Sequence, residues 1–497
     1  MKIKTVITIL LLFALIGAMV SAGKKESNRY SRTTGWTYNN KRADKGGVGY
    51  EIRKGFTPKT PPGMVIVEGG TFTMGEKGEY VTAPQDNRRR RVTVSSFYMD
   101  QYEVRNVDWR EYVHWMEIVF KKTAPSLVKR AEPNRAAWRE ELAYTEPYVQ
   151  SYFDHPAFDN YPVVGVSWEQ AVDYCIWRTD RVNEMALVNS GAIFPLDYTM
   201  IPEMDYEEIR ENFVFSTSKY IHQATYWPED GRRPFTSISG EPRKATYADG
   251  LFFPDFRLPT EAEWEFAAYG LKANKDGIIE EGKIYPWSGH GTRNVKKKEE
   301  GKMLANFVFG KGDMMGPSGG NNSRAGMTAA VDSYYPNDFG LYNMAGNVNE
   351  WVLDVYRTTS FDDFAEYNSF RGNIYTQFKQ AGFDDMGNAY YEVDSVGRIA
   401  MDSIADVRDY LDGDLESQIG FQLGVEMSID TMDITDILRP DINNNARVYK
   451  GGSWKDRVYW LDPSTRRYLD QRKSASDIGF RCAMTMLGDA LPQKKQK

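Results

Sequence analysis

The chain has 497 residues, of which 41% are hydrophobic, 14% aromatic and 26% charged, and its formal net charge is −7. That length and apolar content suffice for a large core in one big domain or two, and the acidic balance argues against a nucleic-acid-binding protein. The four histidines are scattered without metal-ligand spacing, which disfavours a zinc site or a histidine-based triad.

The first 22 residues have the pattern of an export signal. A short basic start, MKIK, precedes the apolar run TVITILLLFALIGAMV, and small residues follow in VSAG. The run is short for a membrane span, so we expect residues 1–22 to be a cleaved signal peptide. A lipoprotein signal would need Cys where the chain has Gly23, which predicts export without a lipid at that position. The polar, basic and Gly-rich residues 23–60 predict an N-terminal arm or linker.

Two strand regions follow the arm. The stretch MVIVEGGTFTMG predicts a β-hairpin that turns at Gly69 and Gly70. Alternation from Val92 to Met99 predicts a further strand. The basic run 88–91 before it would either contact acidic lipid or a partner, or form a solvated strand entrance.

Three helices have recognisable starts. Asn106 is predicted to cap a helix whose apolar residues recur near helical spacing. Capping boxes predict helix starts at Ser167 in SWEQAVDYCIWR and at Thr260 in PTEAEWEFAAYG. Gly270 is the expected C-terminal cap of the last helix. Helices separated by long turn-rich segments and short strands, without internal repeats, predict an α+β fold.

Charge is distributed unevenly along the chain. Residues 361–441 contain 18 acidic and 5 basic residues, a net charge of −13, which leaves the rest of the chain at +6. This acidic segment is either a solvated insertion or a docking surface for a basic partner. Residues 488–497 form a basic tail.

The two cysteines, Cys175 and Cys482, lie in the apolar stretches DYCIW and GFRCAM. In an exported protein they could pair. Their surroundings are equally typical of two buried free thiols. The sequence leaves both alternatives open.

Seven motifs, in order, carry a family resemblance. They are VEGGTFTMG, YPVVGVSWEQAVDYCIWR, FRLPTEAEWEFAAYG, IYPWSG, NDFGLYNMAGNVNEWVLD, VYKGGSW and SASDIGFRCAM. Together they resemble the formylglycine-generating enzyme (sulfatase-modifying factor) family over residues 61–487. The resemblance implies a compact α+β variant of the C-type lectin fold with little regular secondary structure.

Two long insertions, at about 179–256 and 355–447, sharpen this resemblance. With RTDRVNE, FRGNIYT and GGSWKDRVYWLDPSTRRY, they resemble the gliding-motility and type IX secretion lipoproteins of the Bacteroidetes, the GldJ and GldK (PorK) group. That resemblance implies a place on the periplasmic side of the outer membrane, with ring or motor components of the apparatus as partners. Since Gly23 replaces the lipidated Cys, membrane association would run through partners or through an anchor missing here.

Active members of the family oxidise a substrate cysteine with copper held by two cysteines. Counted from GGS, those positions here carry Asp456 and Leu461. Asp is a hard ligand and Leu is none, whereas Cu(I) prefers soft thiolates. We therefore expect no copper and no oxidase activity, as in a pseudoenzyme. The acids and arginines of KDRVYWLDPSTRR predict an ion-pair network, with acid–base catalysis by Asp456 and Asp462 as the remote alternative.

The motif YNMAGNVNEW matches the family's calcium loop. The resemblance assigns calcium to Asn343, the carbonyl groups of Gly346 and Val348, and Glu350. A tight loop that directs hard oxygens inward is suited to calcium. Otherwise Asn343 and Glu350 would only bond the loop backbone.

A second family calcium site would use Asn306 and the carbonyl of Phe307. Its expected Asp corresponds to a position near Ser323. That part of the chain departs from the family pattern, in SGGNNSRAG, which weakens the assignment.

The sequence therefore predicts an exported, catalytically silent scaffold in the type IX secretion or gliding apparatus. The alternative is a C-type-lectin-like module that binds glycan, peptidoglycan or a secreted cargo. An enzyme of unknown chemistry is the remaining possibility. Recovery of apparatus components with the chain, or of glycan alone, would separate the first two.

Overall fold

The computed structural model describes residues 31–38, 50, 52, 59–76, 87–223, 226, 231, 235–236, 242–270, 283–287, 289–310, 326–357, 366–384, 387–404 and 442–488. The predicted signal peptide, about two thirds of the arm, almost all of the basic tail and about half of the acidic segment therefore lie outside the described residues. Within the described part of the chain, no helix is long and apolar enough to span a bilayer.

The elements are short and mixed in type. The α-helices are α1 Asn106–Phe120, α2 Pro125–Ala131, α3 Glu146–Ser151, α4 Trp168–Ser190, α5 Tyr206–Glu208, α6 Thr217–His222 and α7 Glu261–Tyr269. The 3-10 turns are Arg135–Trp138, Pro156–Phe158, Tyr198–Glu203, Tyr247–Asp249 and Val458–Leu461, and Ile209–Phe213 is a π-helical turn. The strands are β1 Met64–Val67, β2 Gly70–Met74, β3 Arg90–Val94, β4 Phe97–Asp100, β5 Phe235–Thr236, β6 Pro242–Arg243, β7 Phe256–Arg257, β8 Asn349–Val355, β9 Thr376–Phe378, β10 Gln380–Phe383, β11 Ala389–Tyr391, β12 Met401–Ser403, β13 Ala446–Lys450, β14 Arg467–Asp470, β15 Ile478–Gly479 and β16 Ala483–Thr485.

The chain divides into two compact units. The smaller comprises Met1–Thr57, Asn183–Leu196 and Thr217–Phe252, and it contains α6, β5 and β6. The larger, here called the core unit, comprises Pro58–Val182, Asp197–Ser216 and Phe253–Lys497.

Two four-stranded sheets organise the core unit. One has the order β1-β4-β16-β7, with β4 antiparallel to β1 (Met64 opposite Asp100) and to β16. The other has the order β14-β13-β8-β15, in which β15 runs parallel to β8. Helix α7 is buried at every residue and packs against β2, β3 and β8. The core therefore surrounds α7, whose three buried glutamates are each held by a basic side chain: Glu261 by Arg466, Glu263 by Arg257 and Glu265 by Lys450.

Local helix signals are confirmed at two of three starts. The Ser167 hydroxyl accepts from the Gln170 backbone N–H at 3.2 Å, and the Gln170 amide oxygen accepts from the Ser167 N–H at 2.9 Å. The box at Thr260 is equally complete, and Gly270 caps α7 with φ +73°. The prediction for Asn106 is wrong in detail. Asn106 is the first helical residue, and its side chain instead donates to backbone carbonyl groups of the 152–158 segment.

The predicted hairpin at Gly69 and Gly70 is wrong. Strand β1 pairs with β4, and β2 pairs with β3, so the two halves of the motif lie in different sheets. A Cβ on Gly69 would lie 2.4 Å from the Val94 carbonyl oxygen, and the Gly69 N–H donates to the Ser96 hydroxyl. Gly69 thus allows its backbone to lie close to that of residues 94–96, which a larger residue would prevent.

The predicted strand from Val92 to Met99 is divided. Residues Ser95 and Ser96 separate β3 from β4, which serve different sheets. Alternation alone could not show this change of sheet, because it reports which residues are buried and not which strand they face.

Candidate functional site

The segment Ser453–Arg467, called the 453–467 segment, begins at a double-glycine turn after β13. Gly451 and Gly452 have φ of +100° and +70°. A Cβ on Gly452 would lie 2.7 Å from the Trp460 carbonyl oxygen, and one on Gly451 would lie 3.0 Å from the Trp264 ring. Only glycine combines this backbone with such close approach, so the turn fixes where the segment starts.

Asp456, at the first family cysteine position, forms an ion pair with Arg467. The carboxylate accepts two guanidinium bonds, of 2.7 and 2.6 Å, and also the Ser453 N–H and hydroxyl at 2.8 and 2.7 Å. Asn349 adds a weaker bond of 3.2 Å. Burial opposes ionisation of Asp456, but the bonds from Arg467 and Ser453 outweigh it and lower the pKa of the carboxyl group. Asp456 is therefore an ionised partner inside a network.

The network continues around the Arg467 side chain. Its guanidinium lies 4.3 Å from the centroid of the Trp460 ring and 5.0 Å from that of Tyr449. Such stacking between planar rings and a guanidinium holds the group in one orientation. Asp477 contacts the same Ser453 hydroxyl at 3.2 Å. The predicted ion-pair network is thus present.

Leu461, at the second family cysteine position, is fully buried. It belongs to an apolar cluster with Ile284, Tyr285, Ala305, Phe307 and Ala345. Its side chain fills core volume and offers no ligand atom. The two positions together supply one ion-paired carboxylate and one aliphatic side chain.

The remote acid–base alternative also involved Asp462. Its carboxylate accepts the Ser464 N–H and hydroxyl at 2.9 and 2.8 Å, and it lies 3.3 Å from the Tyr269 hydroxyl. Asp462 is buried. These hydrogen bonds stabilise the turn that follows Leu461.

The two cysteines meet elsewhere in the core unit. The sulfur atoms of Cys175, on α4, and Cys482, just before β16, are 3.4 Å apart, and both side chains are buried free thiols in this structure. Burial raises the pKa of the Cys482 thiol well above its ordinary value. Neither thiol occupies a family copper position.

The loop Asn343–Glu350, called the 343–350 loop, has a strained backbone. Asn343, Gly346 and Asn347 have φ of +53°, +81° and +69°. A Cβ on Gly346 would lie 2.6 Å from the carbonyl oxygen of Asn306. Asparagine tolerates the left-handed region better than most residues, so the motif permits a sharp curl.

Two amides of this loop face a buried carboxylate that the sequence did not point to. Glu103 accepts Asn343 Nδ2 at 2.8 Å and Asn347 Nδ2 at 2.9 Å. Burial, together with the nearby charge of Glu350, raises the pKa of Glu103 to about 8, although Arg481 opposes the shift. The two amides also contact backbone carbonyl groups of residues 329 and 331.

Glu350 is bound on both oxygens. Arg481 donates to Oε1 at 2.5 Å and to Oε2 at 2.7 Å, and Trp264 Nε1 donates to Oε2 at 2.7 Å. The side chains of Glu350 and Arg481 are 0% exposed. This is a fully buried bidentate ion pair, which ties the end of the 343–350 loop to the last motif of the chain.

The second predicted calcium site, at Asn306, is hydrogen-bonded to the 343–350 loop. Asn306 Nδ2 donates to the Met327 carbonyl at 2.9 Å and to Asn347 Oδ1 at 3.3 Å, and its own carbonyl accepts the Asn347 N–H. Phe307 is buried beside Leu461. Ser323 lies outside the described residues.

The oxygen atoms near the 343–350 loop are of the chemical types that bind a hard cation. They comprise the Glu103 carboxylate, the amide oxygens of Asn343 and Asn347, and nearby backbone carbonyl groups, which are calcium-type ligands. The amide nitrogens of Asn343 and Asn347 now donate to Glu103, and Asn347 Oδ1 accepts the Ala329 N–H at 2.7 Å, so a cation would have to displace these bonds. Among described residues, no group of three or more His, Cys, Asp or Glu side chains could hold a metal ion, so amides and carbonyls would have to contribute. Calcium binding stays a prediction.

Comparisons with known proteins agree with the motifs. A sequence model of the sulfatase-modifying factor enzyme 1-like domain matches residues 53–486. The chain belongs to this family, and its short helices and strands are consistent with a mixed α+β fold. The C-type-lectin-like detail stays a prediction.

Named relatives include active and inactive members. The chain is 25% identical to the mouse formylglycine-generating enzyme over 310 residues, covering 59% of the chain and 58% of that enzyme. It is 26% identical over 323 residues to the bovine inactive C-alpha-formylglycine-generating enzyme 2, covering 60% and 73%. It is 25% identical over 292 residues to the chaperone protein LppX of Paenibacillus barcinonensis, covering 59% and 71%. The chain spans about three fifths of the length of the mouse and bovine formylglycine-generating enzymes.

Among solved structures, PvdO from Pseudomonas aeruginosa aligns with 88% of this chain and 100% of its own, at 16% identity and a TM-score of 0.41. Family membership itself therefore rests on the sequence model and on the sequence relatives. Since these relatives include both an enzyme and an inactive homologue, the activity of this chain has to be argued from its own site.

Proposed function

We propose that this chain is a non-catalytic scaffold of the type IX secretion and gliding apparatus, exported to the periplasmic face of the outer membrane in a member of the Bacteroidetes. The observation that carries the non-catalytic part is the pair of residues at the family cysteine positions. Asp456 is ion-paired with Arg467, and Leu461 is buried in an apolar cluster.

The chemistry of copper explains why these residues matter. A Cu(I) centre prefers soft thiolate ligands. Asp456 offers hard oxygens that are already neutralised by a guanidinium, and Leu461 offers no donor atom. The existence of an inactive homologue in the family is consistent with this reading.

The scaffold part is supported by a surface in the second predicted insertion. Strands β9 to β12 form two antiparallel ribbons, β9 with β12 and β10 with β11. Phe383 on β10 is 68% exposed, and Ile374 and Tyr367 nearby in sequence are 60% and 84% exposed. Large apolar side chains exposed in one segment are typical of protein interfaces. The identity of the apparatus is proposed from the resemblance of the insertions alone.

The proposal includes a structural calcium ion at the 343–350 loop. The resemblance assigns it to Asn343, Gly346, Val348 and Glu350. Because Arg481 already binds both oxygens of Glu350, Glu103 would hold the ion in place of Glu350. The ion would stiffen the loop and would take no part in a reaction.

Crosslinking in native envelopes tests the scaffold function. The chain would be crosslinked mildly, purified by affinity and analysed by mass spectrometry for partners and crosslinked sites. We expect ring or motor components of the apparatus, with crosslinks in 366–404. Phe383→Ser should reduce their recovery, whereas Val295→Ser, which changes an exposed apolar residue outside the insertion, should leave it unchanged. Recovery of the chain alone, or with glycan only, would contradict the scaffold and favour the glycan-binding alternative.

A further inference from the structure

Residues 292–304 form a hairpin in the core unit. The Leu304 N–H donates to the Thr292 carbonyl group at 2.9 Å, and the Asn294 N–H donates to the Lys302 carbonyl group at 2.8 Å. Paired backbone bonds of this kind join the two arms of a hairpin. The chain reversal between Asn294 and Lys302 is therefore held at its base.

The tip of the hairpin, residues 295–300, is held by hydrogen bonds of its own. The Asn294 side chain, which is 7% exposed, accepts the Lys296 N–H on Oδ1 at 2.9 Å and donates from Nδ2 to Glu299 at 3.2 Å. The Glu299 N–H donates to the Lys296 carbonyl group at 2.8 Å. An asparagine that bonds the backbone two residues further on is a common turn former. The tip therefore presents its side chains in a defined arrangement.

The tip exposes one apolar and three basic side chains. Val295 is 89% exposed, and Lys296, Lys297 and Lys298 are exposed as well. None of the three lysines forms an ion pair with a described residue. Neighbouring like charges repel one another when no countercharge lies between them, so an anionic partner would be favoured at this tip.

The hairpin is basic although the chain is acidic. Residues 292–304 contain five basic and two acidic residues, a net charge of +3, whereas the whole chain carries −7. One of the two acids, Glu299, is bonded to Asn294 and lies 3.8 Å from Lys302, so it faces its own hairpin. A local positive potential on a negatively charged protein directs an anionic surface to that place.

We infer that the tip of this hairpin docks on a bilayer surface that contains anionic phospholipids. The three ammonium groups would lie among the lipid phosphates, and Val295 would enter the headgroup region beside the apolar stems of the lysines. Each Lys near an anionic bilayer strengthens binding about fivefold, so the three together provide about 100-fold. Because the charges dominate, removal of Val295 alone would leave most of the binding. The inference uses only the hairpin and does not depend on the proposed secretion apparatus.

The nearest competing partner is an acidic protein segment, such as residues 361–441 of a second copy. Among the described carboxylates of that segment, Glu392 pairs with Lys379, and Asp394 accepts two backbone N–H groups. An acidic segment would also leave Val295 in water, whereas a bilayer surface contacts the apolar and the basic side chains together. The lipid surface therefore accounts for more of the features of the tip.

Vesicle sedimentation with the periplasmic protein tests the inference. The probes are vesicles of phosphatidylcholine alone and vesicles with about one third phosphatidylglycerol. We expect binding to the anionic vesicles only. It should weaken between about 0.1 and about 1 M salt, because the screening length falls from about 10 to about 3 Å. Equal binding to both kinds of vesicle, or to neither, would overturn the inference. The assay contains no component of the proposed apparatus, so its outcome is independent of the scaffold function.

A soluble polyanion separates the competing partner from the lipid. Poly-L-glutamate is added to protein bound on the anionic vesicles, at a carboxylate concentration equal to that of the lipid phosphate. We expect it to release the protein only in large excess, because it offers no layer for Val295. Release at the equal concentration would show that the tip recognises acidic polymers in general, and the lipid assignment would be wrong.

Matched variants assign the binding to the tip. Lys297→Gln/Lys298→Gln removes two charges and should weaken binding to the anionic vesicles about 25-fold. Lys129→Gln/Lys473→Gln removes the same charge from two other exposed positions and should change binding less than about twofold. Circular dichroism checks that both variants are folded. Equal losses in the two variants, or no loss in the first, would assign the binding to other basic regions such as the tail and would overturn the inference.

Discussion

The 453–467 segment and the 343–350 loop touch one another but have different electrostatics. The Trp454 N–H donates to the Asn347 carbonyl at 2.8 Å, so the two regions share a boundary. In the first region the carboxylate of Asp456 is held by a guanidinium of its own. In the second the carboxylate of Glu103 accepts hydrogen bonds from two amides, and the charge of Arg481 acts on it without a direct bond among the described residues.

This difference bears on which of the two metal sites implied by the family resemblance the chain could still support. In the 453–467 segment, Arg467 supplies the positive charge that Asp456 needs, so an added cation would gain little. Near the 343–350 loop, Arg481 is committed to Glu350, and Glu103 is buried without a cation bonded to it. A cation bound there would displace the proton that burial keeps on Glu103 below about pH 8. The 453–467 segment already contains its countercharge, whereas beside the 343–350 loop a bound cation would have to supply it.

The largest expected effect is on the free energy of unfolding, and it should differ between the ion pairs of the two regions. Glu350→Gln leaves Arg481 fully buried beside a neutral group and should lower the free energy of unfolding by about 3–5 kcal/mol. Asp456→Asn should cost less, about 1–3 kcal/mol, because the Asp456 and Arg467 side chains are 11% and 20% exposed and not 0%. Urea unfolding followed by circular dichroism gives both values. Equal losses would break the comparison, and Glu146→Gln in an exposed pair with Arg139 is the control.

Calcium should stabilise the protein through the loop alone. At a concentration about 100 times its dissociation constant, calcium should raise the free energy of unfolding by about 2.7 kcal/mol over chelated protein. Glu103→Gln should abolish most of this increase, because it removes the carboxylate nearest Asn343. Asp456→Asn should keep the full increase. Thermal unfolding with and without chelator measures both, and an increase that survives Glu103→Gln would contradict the assignment.

The two carboxylates should respond to pH in opposite directions. Because the folded-state pKa of Glu103 is raised to about 8, the folded protein keeps a proton that the unfolded chain has released. Its contribution is present in full below about pH 4.5 and is lost as the pH rises towards 8. The pKa of Asp456 is lowered, so its contribution is present at neutral pH and is lost as the pH falls below the ordinary range of an Asp.

A difference measurement isolates the contribution of Glu103. Asp354, whose pKa burial raises to about 7, changes stability in the same direction as Glu103. Unfolding of chelated wild-type and Glu103→Gln protein should therefore be compared from pH 5 to 8, where the variant should show the shallower decline. Identical slopes would show that Glu103 is ionised in the folded protein.

Features of the fold and the site are predictable from the sequence where the interacting residues lie close together along the chain. The starts of α4 and α7 were readable because each capping box lies within four residues, and Gly270 signals its own cap. Glu103 was missed because it meets Asn343 across 240 residues, and no local pattern encodes that approach. The β1–β4 pairing was missed for the same reason. The two substituted cysteine positions were found by family motif, but their partners, Arg467 and the apolar cluster, needed the structure.

The smallest expected effect concerns the two cysteines. Their sulfur atoms lie 3.4 Å apart, so we expect the exported protein to contain a Cys175–Cys482 bond. Its intact mass would then be about 2 Da below that of the reduced protein. Denaturation of the periplasmic protein in the presence of an alkylating agent, followed by mass measurement, checks this, because both side chains are buried in the folded protein. Two alkylated thiols would contradict it and would leave free thiols in a chain that lacks the family pair.

Oxidase activity is the function that the 453–467 segment is expected to lack. The most direct measurement incubates the chain with copper and a cysteine-containing peptide under oxygen, and follows conversion to formylglycine by mass spectrometry, with the mouse family enzyme as positive control. We predict no conversion by the native chain. We also predict none by the Asp456→Cys/Leu461→Cys variant, because Arg467 and the surrounding core remain shaped for other side chains. Conversion by the native chain would show that the protein is an oxidase. Robust conversion by the double variant would show that the rest of the oxidase site is intact.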